Sequence, residues 1–247
     1  MRTLWLMYKT DVKLSIREFS GVLFGVLVPV GLIILLGMIY DDAAVGGYAT
    51  RQIDIAFGAV SNLGIASAGL MGLPIALSDY RQRKILKRYK VTPISPMTLL
   101  MSSVLLCFSL SVVSMVLIYA VSAIMFGFTM QGSWLAFAGV FMLVMVSIHA
   151  IGMVVASLAP GVQAAGVIAS AIYFPMIFLS GATIPLDIMP GAMRAVANFL
   201  PLTHGVNLLQ AVSLGQRPAG FMFSFLVMMV IAVFGIAVSV KFFRWES

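Results

Sequence analysis

Tyr80-Arg81-Gln82-Arg83-Lys84-Ile85-Leu86-Lys87-Arg88-Tyr89-Lys90-Val91-Thr92-Pro93-Ile94-Ser95-Pro96 lies between two long apolar stretches, about Ile53–Ser78 and about Thr98–Phe126. Six of the chain's 15 Lys and Arg residues fall between Arg81 and Lys90. Each flanking stretch exceeds the roughly 20 residues a helix needs to cross a bilayer. The cations therefore stand at a membrane surface, between two crossings. The same pattern extends over the chain, which is 62% hydrophobic and 9% charged over 247 residues. A soluble domain of this length could not hide so much apolar surface. The expected fold class is an all-α membrane protein, built as a single transmembrane domain over 1–247.

Six spans are expected, at about Gly21–Tyr40, Ile53–Ser78, Thr98–Phe126, Trp134–Leu158, Val162–Ser180 and Phe221–Val240. The first carries Gly21 and Gly25, a small-xxx-small pair that permits close helix approach. Residues 2–19 hold charges and cannot span. On a helical wheel Leu4, Trp5, Tyr8, Val12, Ile16 and Phe19 share a face, with Lys9, Lys13 and Arg17 together elsewhere. This predicts an amphipathic interfacial helix with its cations toward anionic headgroups. Leu6, Met7 and Leu14 break the pattern and are expected to face protein. Six spans put both termini on one side. Twelve Lys and Arg then share that side, and Arg51, Arg194 and Arg217 lie opposite. Insertion scales charge roughly 2.5–3.5 kcal/mol for a basic residue at the membrane centre, so the side with twelve is read as cytoplasmic. Lys241-Phe242-Phe243-Arg244-Trp245 closes the last span as a basic and aromatic anchor.

Residues 181–213 do not read as an ordinary loop. Pro190 suits the first turn of one short helix, and Pro201 or Thr203 the start of another. Pieces of about 10–12 residues have the length of re-entrant or interfacial helices. Backbone at that depth must be covered by protein or line a wet cavity. The segment therefore reads as a cap on the external end of a pathway, with Gly181, Pro185, Pro190 and Pro201 at its corners. A surface hairpin without a gating role is the alternative.

Several function classes are excluded by composition. The net charge of +7 reflects retained cytoplasmic cations and not nucleic-acid binding. Cys107 is the single cysteine, so no internal disulfide forms. Asp11 and Glu18 interrupt any signal-peptide n-region. The acids are few and scattered, so no catalytic or metal constellation is expected, and His204 with Asp187 does not make one. His149 in the fourth span is either a proton relay or, preferably, a neutral imidazole bonded to a neighbouring helix. No Gly-x-x-x-x-Gly-Lys-Ser/Thr phosphate loop occurs, so the chain is not itself an enzyme.

Two stretches resemble the permease subunits of type-two ABC exporters. One is Lys84 through Pro96, a basic helix followed by Thr92-Pro93 and Ser95-Pro96. The other is Phe178-Leu179-Ser180-Gly181-Ala182, then Pro185-Leu186, Met189-Pro190 and Leu200-Pro201-Leu202-Thr203. The six-span layout, the N-terminal amphipathic helix and the length match as well. This chain lacks the glycine often found near the start of the family's basic loop. The resemblance implies a half-transporter in a bacterial or archaeal cytoplasmic membrane. It would pair with a second permease chain, identical or a close paralogue, and with a separate ATPase subunit. ATP and Mg would bind that subunit and no cofactor this chain. The resemblance also implies that spans two and five line the route. Phe57, Ser61, Asn62, Tyr173 and Phe174 are the candidates for cargo contact, each equally explained by helix packing.

Placed on a helix, Ile85, Gln82, Tyr89 and Leu86 occupy one arc of about 100°, with the cations filling the rest. Such a ridge fits a cleft on an ATPase subunit, and on topology alone it could lie on anionic lipid. The docking set is Arg81, Arg83, Lys84, Ile85, Leu86, Lys87, Arg88, Tyr89, Lys90, Thr92 and Pro93. The two prolines stiffen the return to the third span. The expected cargo is a lipophilic small molecule. An ATP-independent transporter or channel, and a sensor or immunity module, are the readings from other classes.

Overall fold

A computed structural model describes residues 2–18, 20–40, 51–82, 96–184, 186, 189–216 and 218–242. It contains α1 (Arg2–Glu18) and α2 over 20–40, interrupted by a π-helical stretch at Leu23–Leu27. Next come α3 (Gln52–Gln82), with a π-helical stretch at Ser67–Gly72, and α4 (Pro96–Phe126). They are followed by α5 (Trp134–Leu158), α6 (Val162–Leu179), α7 (Gly191–Ala197), α8 (Pro201–Ser213) and α9 (Met222–Phe242). No strand occurs among the described residues. Apolar runs in lipid must satisfy their backbone internally, which the helix does.

The chain is an all-α membrane protein. Among the described residues five helices are long and apolar enough to cross a membrane, and Leu23–Ile39 is a shorter apolar helix. The helices are far from equivalent. In α3 78% of the most apolar window is buried inside the chain, against 11% in α6. Thus α3 is the central rod, and α6 leans on it through Ala165 and Ala169. Hydropathy alone would rank them the other way, because the α3 window is the less apolar of the two.

The rod is packed on every side. Phe57 lies 4.5 Å from Phe128 and 5.4 Å from Phe137, centroid to centroid, with Tyr119 edge-on at 6.1 Å. Offset and edge-to-face pairs of this kind add to the burial energy. Gly58 lets α8 approach so closely that a Cβ would sit 2.6 Å from Gln210 N. Gly152 of α5 meets the backbone of Gly69, where a Cβ would overlap the Gly69 carbonyl oxygen. The π-helical stretches of α2 and α3 lie against each other beside that crossing. Such stretches usually mark a local disturbance of the i→i−4 ladder at a functional place.

α1 lies on α4 with an inner arc that only partly follows the wheel: Met7 turns inward as expected. Leu6 and Leu14, expected to face protein, are exposed at 57% and 44%. Trp5 and Ile16 also point outward. The inner arc is Leu4, Met7, Tyr8, Asp11, Val12 and Ser15, all less exposed. Polar bonds set this rotation: Tyr8 Oη and Ser109 Oγ are 2.8 Å apart, and Asp11 accepts two hydroxyl hydrogen bonds. In lipid an apolar side chain gains little by turning inward, so the polar groups decide.

Candidate functional site

The last turn of α3 holds three consecutive side chains that reach three different elements. The Tyr80 hydroxyl donates to Asp11 Oδ1 of α1 at 2.8 Å. The Arg81 guanidinium donates to the carbonyls of Ala156 and Ala159 at the end of α5, the latter at 3.1 Å, and to Ser78 Oγ. The Gln82 side-chain oxygen accepts from Val162 N at 3.2 Å, in the first turn of α6. Each bond has a helix-end logic. A cation suits the unpaired carbonyls of a helix C-terminus, and an acceptor suits the orphan N–H groups of an N-terminus. The tight Ala159-Pro160-Gly161 connection brings both ends within reach of one turn of α3.

The opposite end of α3 is tied as firmly. Arg51 donates to Phe126 O at 2.9 Å and Gly127 O at 3.0 Å, where Gly127 leaves the end of α4 with φ +61°. Its other partner is Asp54, at 3.6 Å. Asn62 Nδ2 donates to Leu202 O at 2.8 Å, and Gln210 Nε2 donates to Ile55 O at 3.2 Å. These two bonds bolt α8 antiparallel along α3. Gln131 N and Gly132 N both donate to Ser213 O, which holds the far end of α8. Arg51→Ala should cost about 1–3 kcal/mol, because it strips two carbonyls of a charged donor. A fall in the detergent melting temperature without loss of membrane insertion would show this.

The two short helices differ in kind. Leu202, Thr203, His204, Gly205, Val206, Leu208 and Leu209 of α8 are buried, whereas in α7 only Ala197 is. Gly181 bends the chain after α6 with φ +84°, Pro190 immediately precedes α7, and Pro201 opens α8. His204 Nδ1 lies 3.0 Å from Ser224 Oγ of α9. Burial lowers the His204 pKa from its ordinary 6.5. Its stabilising contribution is therefore present above that value and lost as pH falls through the folded value. His204→Gln should flatten the acid limb of a melting-temperature profile, and an unchanged profile would contradict this.

The sequence-derived residues fall into separate settings. Phe57, Ser61 and Asn62 are buried in α3, Tyr173 is half-buried, and Phe174 is exposed at 52%. These five do not share one surface within the chain. Ser61 Oγ, Asn62 Oδ1 and Thr203 Oγ1 are buried without a hydrogen-bond partner. A polar group in that state is costly, so it marks the α3–α8 seam as an unusual place. His149 Nδ1 bonds Met145 O of its own helix at 2.7 Å, and its ring meets Phe108 of the neighbouring α4 edge-on at 4.6 Å. Of the docking set, Arg81 is placed as above. Arg83, Lys84, Ile85, Leu86, Lys87, Arg88, Tyr89, Lys90, Thr92 and Pro93 lie outside the described residues, as does Pro185. Asp11, Arg51 and Gln210 were missed from sequence. The one available signal was Asp11, a lone acid on the otherwise mostly apolar arc of α1.

The ABC-2 type transporter family model matches residues 2–214. Nodulation protein J of Rhizobium leguminosarum bv. viciae is 42% identical over 66 residues, 27% of this chain and 26% of that protein. The protein of that name from Rhizobium leguminosarum bv. trifolii is 35% identical over 90 residues, 36% of this chain and 34% of that one. Its counterpart from Rhizobium meliloti (strain 1021) is 35% identical over 66 residues, 27% of this chain and 25% of that one. The matched stretches thus span about a quarter to a third of the relatives' length. The family match takes in α1, the central rod with its three-way junction, and α8, and on that match the chain belongs to the ABC-2 type transporter family as a membrane-spanning permease component.

Proposed function

We propose that this chain is the permease half of an exporter that moves a lipophilic small molecule out of the cytoplasm or the inner leaflet. Energy would come from ATP hydrolysed with Mg on a separate nucleotide-binding subunit docked on Arg81 and residues 83–93. A second permease chain, identical or a close paralogue, would complete the pathway. Six spans with both termini cytoplasmic, in a bacterial or archaeal inner membrane, fit this role. The observation that carries the reading is the junction at Tyr80, Arg81 and Gln82. A displacement of the basic segment enters α3 there and is passed at once to α1, α5 and α6.

The route follows from the same rod. If α3 tilts, the α3–α8 seam would open, break the Asn62–Leu202 bond and present Ser61 Oγ and Asn62 Oδ1, which have no hydrogen-bond partner. Phe57 would then be uncovered beside them, and Tyr173 and Phe174 would complete the contact set from α6. The external corners Gly181, Pro185, Pro190 and Pro201 would let α7 and α8 move as the seam opens. The test is reconstitution in liposomes with the nucleotide-binding subunit that co-purifies with the chain, using a lipophilic fluorescent dye as probe. ATP-dependent clearance that requires both chains supports the reading. Gradient-driven flux through this chain alone would replace it with a channel or secondary transporter. Dye binding without clearance would replace it with a sensor or immunity module.

A further inference from the structure

We propose that Asp11 is a positioning residue that staples both roots of the basic segment to the N-terminal helix. The proposal deepens the docking reading of residues 83–93 and rests on it for its functional half. The Asp11 carboxylate gives one oxygen to each root. Tyr80 Oη, in the last turn before the segment, donates to Oδ1 at 2.8 Å. Ser102 Oγ, in the second turn of α4 after it, donates to Oδ2 at 2.7 Å. Higher on the same helix pair, Tyr8 Oη and Ser109 Oγ lie 2.8 Å apart and fix the angle of α1 along α4.

Hydroxyl-to-carboxylate bonds of this length are charge-assisted and among the stronger ones. Asp11 is half-buried on the inner arc, among Leu4, Met7 and Val12. Lys9, Lys13 and Arg17 of the same helix are all exposed, on the outer side. The carboxylate therefore depends on the two hydroxyls for what hydration it has given up. A third element bonded to both roots stops them from splaying. A push on the segment then moves Tyr80, Ser102 and α1 as one body. Asp11 acts through Tyr80 and Ser102, so its part is to hold geometry.

The staple can be read on this chain without any ATPase. In nanodiscs, with Cys107→Ala and Ser15→Cys, a maleimide reports release of the half-buried inner arc of α1. Tyr80→Phe and Ser102→Ala each delete one hydroxyl and with it the bond to Asp11. Loss of one such bond shifts the docked-to-released equilibrium by about tenfold, and the modification rate should rise by that factor. Asp11→Ala should raise it at least as much, and Tyr80→Phe should then add nothing further. Rates that stay within about twofold for both hydroxyl deletions overturn the staple. In the reconstituted complex, transport per ATP should fall in the same order, with ATPase assembly retained. Raised modification with an unchanged ratio overturns the part of Asp11 in coupling. A parent complex with no ATP-dependent transport overturns the docking reading alone, because the maleimide result stands apart from it.

Discussion

Lys84→Glu, Lys87→Glu and Arg88→Glu combined will lower ATP-driven transport at least about tenfold while the chain still inserts and folds. The three cations lie in a stretch of dense positive charge whose sequence, placed on a helix, would leave Ile85, Gln82, Tyr89 and Leu86 as a narrow ridge. Reversing three charges turns attraction for an acidic cleft into repulsion, and each close charged contact in an interface is worth about 2–5 kcal/mol when broken. Insertion should survive. On the proposed topology the remaining cations, among them Arg2, Lys9, Lys13, Arg17, Arg81 and Lys241, would still set the sidedness. The junction at Tyr80, Arg81 and Gln82 is untouched, so the bundle should keep its melting temperature. The measurement is dye clearance in proteoliposomes, with ATP hydrolysis and co-purification of the ATPase followed in parallel. Transport at the parent rate in the triple variant would sink docking at these residues. Lost transport with parental co-purification would place the defect in transmission and not in assembly.

The second large effect is structural and comes from one methyl group. Gly152→Ala drives a Cβ into the Gly69 carbonyl, at the crossing of α5 with the π-helical stretch of α3. A backbone oxygen cannot rotate away as a side-chain tip can. The helices must separate or the stretch must rewind, and forced overpacking costs about 1–3 kcal/mol, occasionally more. Gly139→Ala is the control in the same helix, because its Cβ would meet nothing within 4 Å. There alanine should be neutral or stabilising by up to about 1 kcal/mol, the ordinary gain over glycine in a helix. Thermal unfolding of the two variants in one detergent makes the comparison. Equal melting temperatures would show that the crossing is looser than its geometry indicates. A drop confined to Gly152→Ala, with transport lost as well, would tie the α3–α5 contact to the working cycle.

Much of the fold was legible in the chain. Apolar runs bounded by charges or by Pro and Gly announce helices, since a backbone in hydrocarbon must bond to itself. The helices Pro96–Phe126, Trp134–Leu158 and Val162–Leu179 lie where those runs lie. Pro190 and Pro201 stand at the starts of α7 and α8 because proline has no N–H to leave unpaired there. Much of the candidate site was not legible. Nothing local says that Tyr80, Arg81 and Gln82 reach three separate elements, because their partners lie 69 to 80 residues away in sequence. The wheel for α1 was only partly right for the same reason: Met7 turns inward as expected, whereas Leu6 and Leu14 do not. It ranked faces by hydropathy, whereas Tyr8 and Asp11 chose the face by bonding to distant hydroxyls.

By itself the amino-acid sequence determined that this is a helical membrane protein, roughly where its helices run, and the family to which its motifs point. Those properties are local, carried by hydropathy over about 20 residues and by the charges between the runs. Only the tertiary structure decided that α3 is the buried rod and α6 a peripheral helix. It alone showed that α8 is core while α7 is surface, and that Asp11 joins the two roots of the basic segment. The reason is that lipid and protein interior accept the same apolar side chains. Hydropathy therefore cannot tell an outer face from an inner one, and the sparse polar groups and close glycine contacts make that choice.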